Sequence, residues 1–301
     1  MSVQSSLKLP TLEQSQLRTR VPDTPLRKAL RRFRRHRLAM AGLTIIALLV
    51  IAALLGSESA ALEQNLRAMN KPPSGEHFFG TDRIGRDILA RTLVGGRISL
   101  AVGLVAVFFS TSIGLVLGSL AGFYGGWFDQ IIMRVVDVVL SFPVIILLLC
   151  AASLVGPSIF NVMAMIGLLT WPTPCRIMRG QFLTLRERAF VEAARCLGVT
   201  DFQIAARHII PNALAPVLVY ASFAVATAVL LEAGLSYLGL GVQPPTPSWG
   251  NMLNTARNIS TMERTSWQWV PPAIMTVLFV LAVNFVGDGL RDAFDPRMTI
   301  K

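Results

Sequence analysis

The chain has 301 residues, 53% of them hydrophobic and 15% charged, with a formal net charge of +11. A soluble domain carries about 25% charged residues, so this composition belongs to a polytopic membrane protein. The basic residues flank apolar stretches and are not interleaved with aromatics, which argues for orientation in a bilayer and against nucleic-acid binding.

Residues 1–37 are polar and then strongly basic, with Arg27, Lys28, Arg31, Arg32, Arg34, Arg35 and Arg37 close together, which places this segment on the cytoplasmic side. Leu38 to Leu55 is long enough to cross the hydrocarbon core. A cleaved signal peptide is the competing reading, but the polar segment ahead of the run is longer than a signal usually has, and an uncleaved first span is expected. The loop over 56–97 is nearly neutral and suits the outer side. Within it, Phe79 to Arg91 predicts a tight turn opening an amphipathic interfacial helix, with Asp82 and Asp87 bonded locally to backbone or arginines.

A second span is expected over about Ile98–Phe123, rich in glycine and serine for close packing. A third, over about Gln130–Val155, carries an Arg134/Asp137 pair and a kink at Pro143. Gly156-Pro157-Ser158 makes an outer turn, and a fourth span, about Ile159–Cys175, returns the chain to the cytoplasm.

The cytoplasmic loop 176–212 is the most informative stretch. Phe190, Ala193, Ala194 and Leu197 stand at i, i+3, i+4 and i+7 and form an apolar stripe, with Glu192 beside it. Gly198 is placed to end that helix in the left-handed conformation, and Thr200 with Gln203 has capping-box spacing for a second helix that stops before Pro211. The pair reads either as a docking surface for another protein or as an ordinary solvated loop.

A fifth span, about Ala213–Leu231, leads to Glu232, a residue either on a solute pathway or reaching the membrane interface. The outer loop 233–269 is rich in Gly and Pro; Gln243 and Trp249 within it are candidates, with Glu232, for a pathway or outer gate. The sixth span, about Val270–Val286, returns to an inner C-terminus. The expected fold is therefore an all-α polytopic membrane protein, with a six-helix transmembrane domain over 38–301 and both termini cytoplasmic. Cys150, Cys175 and Cys196 read as small buried apolar residues. No metal site, catalytic triad or nucleotide-binding loop is visible, so the chain is not expected to be an enzyme or to bind a cofactor itself.

Glu192-Ala193-Ala194, three residues, Gly198 and then Pro211 closely resemble the signature of permease subunits of ATP-driven, binding-protein-dependent (ABC) importers. His208 and Ile210 stand where the general signature has Ile and Leu, and there the chain looks like the peptide-importing branch. Phe79–Asp87, Leu235–Trp249 and Gly287–Pro296 resemble that branch's C-type subunit, so the likeness runs from about residue 30 to the C-terminus. The resemblance implies a type I importer permease fold in a bacterial inner membrane. It implies a second, B-type permease, two cytoplasmic ATPase subunits that hold ATP and Mg, and an extracytoplasmic solute-binding protein. It also implies that the Glu-Ala-Ala helix docks on an ATPase subunit and couples ATP hydrolysis to alternating access. Di- or oligopeptides are the expected solutes, with nickel chelates or glutathione as alternatives within the branch. A membrane scaffold or channel without an ATPase is the rival of a different class.

Overall fold

The computed structural model describes residues 25–294, so the first 24 residues of the expected basic segment 1–37 and the final stretch from Asp295 lie outside the described residues. Among the described residues the regular structure is helical, apart from a single bridge between Thr81 and Asp87, and long loops join some of the helices. In order the helices are α1 (Pro25–Arg35), α2 (Arg37–Leu55), α3 (Glu58–Leu62), α4 (Ile88–Tyr124), α5 (Gly126–Leu140), α6 (Val144–Val155), α7 (Ile159–Thr170) and α8 (Pro172–Arg186). They continue as α9 (Ala189–Cys196), α10 (Asp201–Ile204), α11 (Ile210–Tyr237), α12 (Trp249–Leu253), α13 (Ile259–Arg264) and α14 (Val270–Phe294).

Among the described residues four helical stretches are long and apolar enough to cross a membrane: Arg37–Leu55, Ile88–Tyr124, Asp201–Tyr237 and Val270–Phe294. The bent pair α5 and α6 makes a fifth if taken as one span. These account for four or five of the six expected spans. The predicted fourth span falls on α7 and α8, of 12 and 15 residues, which Pro172 and Pro174 divide at Trp171.

Two other boundaries differ from expectation. The predicted interfacial helix and second span are one helix, α4, of 37 residues, begun where Asp87 accepts a hydrogen bond from the Ala90 amide at 2.9 Å. Pro143 does more than kink the third span: it cannot donate an amide and forces Phe142 out of the helical region, so α5 and α6 meet at 87°. Arg134 is not the partner of Asp137 either. Asp137 binds Arg176 at 2.5 Å and Asp129 binds Arg179 through both oxygens, at 2.8 and 2.5 Å, and both pairs tie α5 to α8.

Close helix packing comes from small residues on α4. A Cβ on Gly118 would stand 2.4 Å from the Cys175 carbonyl, and one on Gly122 would stand 2.6 Å from Phe182, so the two backbones approach as only glycine permits. These registers run α4 and α8 in the same direction. Gly289 against Ala39 and Gly42 against Ala282 run α2 and α14 in opposite directions. The bundle consequently has one end carrying α1, α9, α10 and the close of α14, and another carrying the loops 56–87 and 238–269. We refer to these as the basic end and the loop end. Of the three cysteines only Cys175 is buried; Cys150 and Cys196 are exposed on the surface of the chain.

Candidate functional site: the helix pair at the basic end and the loop-end clamp

At the basic end, α9 is held by one buried residue. Val191 is fully buried among Met178, Phe182, Ile204, Ala205, Ile209, Ala213 and Val217, with Ala194 and Val199 packed at the margin. The stripe read from the sequence is therefore two faces: Ala194 turns partly to the core beside Val191, while Phe190, Ala193 and Leu197 stay outside with Glu192. Leu197 is 83% exposed and Phe202, on α10, 73%. Among the described residues these apolar side chains have no cover.

The break between the helices is a Schellman motif. Gly198 adopts φ +79°, its amide donates to the Arg195 carbonyl at 2.9 Å, and the Val199 amide donates to the Ala194 carbonyl at 3.1 Å. A Cβ at Gly198 would meet nothing within 4 Å, so the requirement for glycine is the backbone angle alone. Thr200 then caps α10 by accepting from the Gln203 amide at 3.4 Å, and Arg195 pairs with Asp201 across the break at 3.0 Å.

The second helix does not stop before Pro211. A π-helical turn, Ala205–Ile209, joins α10 to α11, and the Ile210 amide donates five residues back to Ala205. Pro211 sits in the first turn of α11, where its missing amide is tolerated. The second helix of the pair, α10, is thus continuous with a membrane-crossing helix from Asp201 to Tyr237.

At the other end of α11, Glu232 is fully buried and accepts three hydroxyl hydrogen bonds. Ser236 and Ser248 donate to Oε1 at 2.7 and 2.9 Å, and Ser99 donates to Oε2 at 3.0 Å. Each hydroxyl also accepts a backbone amide: Val242 on Ser236 at 3.0 Å, Asn251 on Ser248 at 3.1 Å and Trp249 on Ser99 at 3.1 Å. The protons therefore all point at the carboxylate. Trp249 is also buried, with its Nε1 donating to the Thr92 carbonyl at 2.9 Å, against Gly96 and Phe279. Glu232 and Trp249 form a clamp binding the 239–251 segment across α4. In this conformation Glu232 is enclosed by its own chain, with no exposed surface. Gln243 alone of the three gate candidates is exposed, its amide bonded to the Gly239 carbonyl at 3.0 Å. A cavity of about 100 Å³ at membrane level is lined by Val107, Ile166, Thr170, Tyr220, Phe223 and Thr227, among others, and by none of the three candidates.

The Phe79–Asp87 turn behaves as expected. Asp82 accepts from the Ile84 and Arg86 amides at 3.0 and 2.9 Å and from Arg86 Nε at 2.7 Å. Asp87 also meets His77 Nδ1 at 2.9 Å. Gln268 reaches across to Asn70 and the Thr81 carbonyl, at 2.8 and 3.2 Å, and Arg83 to Thr261, which joins the two long loops. Val191, Phe202 and the serines Ser99, Ser236 and Ser248 were not singled out from sequence. Val191 and Ala194 at i and i+3 were a usable signal of an inward face; Ser99, 133 positions from Glu232, left none.

Comparison with known proteins decides the family. Residues 114–300 match the model described as binding-protein-dependent transport system inner membrane component. The chain belongs to this family. Residues 24–73 of this permease also match the N-terminal transmembrane domain of oligopeptide transport permease C. It is 47% identical over 276 residues to a putative peptide permease protein of Brucella suis biovar 1, covering 91% of each chain. It is 40% identical over 294 residues to the glutathione transport system permease protein GsiD of Escherichia coli, covering 96% of this chain and 95% of that one. In fold it is similar to the inward-facing methionine ABC transporter MetNI, with a TM-score of 0.54 over 67% of this chain and 96% of that chain. The permease is thus a non-catalytic, multi-pass subunit of an ABC importer in the inner membrane, a class that works with a partner ATPase and a solute-binding protein.

Proposed function

We propose that the chain forms half of a peptide-translocating pathway and that α9 and α10 are its contact with an ATPase subunit. One observation carries the second part: Phe190, Ala193, Leu197 and Phe202 are uncovered on a pair of helices rigidly set by Val191 and the Gly198 motif. Exposed apolar groups fixed on a rigid element away from the bilayer core suit a protein partner. Glu192, exposed beside Ala193, supplies a charge for an arginine, lysine or amide of that partner. In this reading Ala193, Ala194, Gly198 and Pro211 serve as contact, spacing, turn and helix entry. The assembly is a heterodimer with a B-type permease on two ATPase subunits, which hold ATP and Mg, and closure of those subunits moves α11 as a body.

The solute class follows the relatives, which are named for peptides and for glutathione, itself a small peptide. The test is reconstitution of this chain with its B-type, ATPase and binding-protein partners, with a labelled dipeptide and glutathione supplied in turn. ATP-dependent accumulation of either supports the reading. A stable, solute-conducting pore of this chain alone, without an ATPase, overturns it.

A further inference from the structure

The segment that neither the coupling pair nor the clamp uses is α1. The residues Arg27 to Arg37 include seven arginines and lysines, and no Asp or Glu occurs between Thr24 and Ser57. α1 is not a continuation of α2. His36 is extended, at φ −79° and ψ 101°, and its Nδ1 caps α2 by accepting from the Ala39 amide at 3.0 Å. The chain therefore turns at the point where the span Arg37–Leu55 begins.

α1 is anchored on its own bundle by one side only. Ala29 is buried, Phe33 lies against Gly289 of α14, and His36 Nε2 pairs with Asp292 at 3.4 Å. On the other side Arg34, Arg35 and Arg37 are exposed. So are Leu30 and Leu38, at 57% and 56%. Leu30 and Arg34 are one turn apart and share a face. A helix with an apolar edge and a cationic face, fixed at the mouth of a span, has the chemistry of an element lying in the headgroup layer.

We propose that α1 is a binding site for anionic phospholipid headgroups, with the phosphate held by Arg34, Arg35 and Arg37 and the acyl chain running past Leu30 and Leu38. The exposed leucines favour a lipid over a free phosphate, which has no apolar part to place there. Because α1 rests on Gly289 and Asp292, bound lipid braces the inner ends of α2 and α14 together. A basic juxtamembrane cluster gains about fivefold in anionic-lipid preference for each arginine near the surface.

The experiment uses the full chain in nanodiscs of equal parts phosphatidylglycerol and phosphatidylcholine, with retained lipid measured by native mass spectrometry. Wild type is expected to retain phosphatidylglycerol preferentially, and the triple variant Arg34→Gln, Arg35→Gln, Arg37→Gln to lose most of that preference. The matching triple lysine variant is expected to keep it, which separates charge from misfolding. If the glutamine variant fails to insert, loss of wild-type preference on raising salt to about 0.5 M reads the same interaction. Inorganic phosphate is expected not to compete; displacement by it at millimolar concentration would replace the lipid with a free anion and overturn the proposal. So would equal retention of the two lipids by wild type. Unchanged lipid preference in the glutamine variant, with loss of ATPase-subunit binding instead, would assign the face to a protein and also overturn it.

Discussion

Replacing Glu232 tests whether the loop end is held from a single point. In Glu232→Gln the shape is kept, but one of the two oxygens becomes an amide nitrogen. Oε1 now serves Ser236 and Ser248, so the lower-cost orientation keeps that oxygen and turns the nitrogen toward Ser99. Ser99 then faces a donor while its own proton, already directed away from the Trp249 amide, has no acceptor. One orphaned buried donor costs about 1–3 kcal/mol, and we expect Glu232→Gln to lose about 2. Glu232→Ala strands up to three hydroxyl protons and leaves a void, for about 3–5 kcal/mol. The readout is hydrogen exchange of the Val242, Trp249 and Asn251 amides in the full chain. A local loss of about 3 kcal/mol corresponds to roughly 100-fold faster exchange. The Glu232→Gln and Ser99→Ala costs should fall short of additive by about 0.5–3 kcal/mol, because both remove the same bond. If Glu232→Ala leaves the three amides as protected as in wild type, the clamp argument is refuted.

Three further outcomes are expected. Gly198→Val should cost about 1–2 kcal/mol, because the strain is in the backbone and no neighbour intervenes, whereas Gly198→Asn should be nearly neutral. Solute-stimulated ATP hydrolysis by the assembled complex should fall for valine and not for asparagine, and unchanged hydrolysis in the valine variant counts against a coupling role. Leu197→Glu should leave the melting temperature of the isolated chain within about 1–2 °C of wild type yet abolish co-purification with the ATPase subunits, since Leu197 touches little of its own chain. Asp87→Ala should destabilise the loop end by about 1–2 kcal/mol through loss of the α4 cap and the His77 bond, seen as faster exchange at Ala90.

What was legible in the sequence was local. The Gly198 turn, the Thr200 cap, the Asp82 bonds to Ile84 and Arg86 and the Asp87 cap on Ala90 depend on residues within about four positions of one another, and each has its own backbone chemistry. The errors arose where a local rule met a tertiary demand. Pro143 was read as a kink because proline in a long apolar run is often only that, but here it separates two helices at 87°. Pro211 was read as a stop, but a π-helical turn ahead of it absorbs the missing amide. The Arg134/Asp137 spacing was right for a helix surface, yet Arg176, 39 positions away, takes the aspartate. The stripe on α9 was seen without its inward half, because Val191 is decided by the cluster it enters. Glu232 stands out in the sequence for its charge; Ser236, one turn on along α11, is within helical reach of it, but Ser99 and Ser248 come from two other segments, which no periodicity brings to it.

The π-helical turn at 205–209 gives the unbroken helix from Asp201 to Tyr237 an angular setting. That helix is roughly 55 Å long at about 1.5 Å per residue, and each residue added or removed rotates one end against the other by about 100°. Phe202 at one end and Glu232 at the other are therefore keyed like the two ends of a crankshaft, and the extra residue of the π turn is part of the key. Deleting a single residue between Ala205 and Ile209 would leave a regular helix with Glu232 still clamped. It would also swing the uncovered apolar face of the helix pair by more than a quarter turn, out of line with whatever it meets.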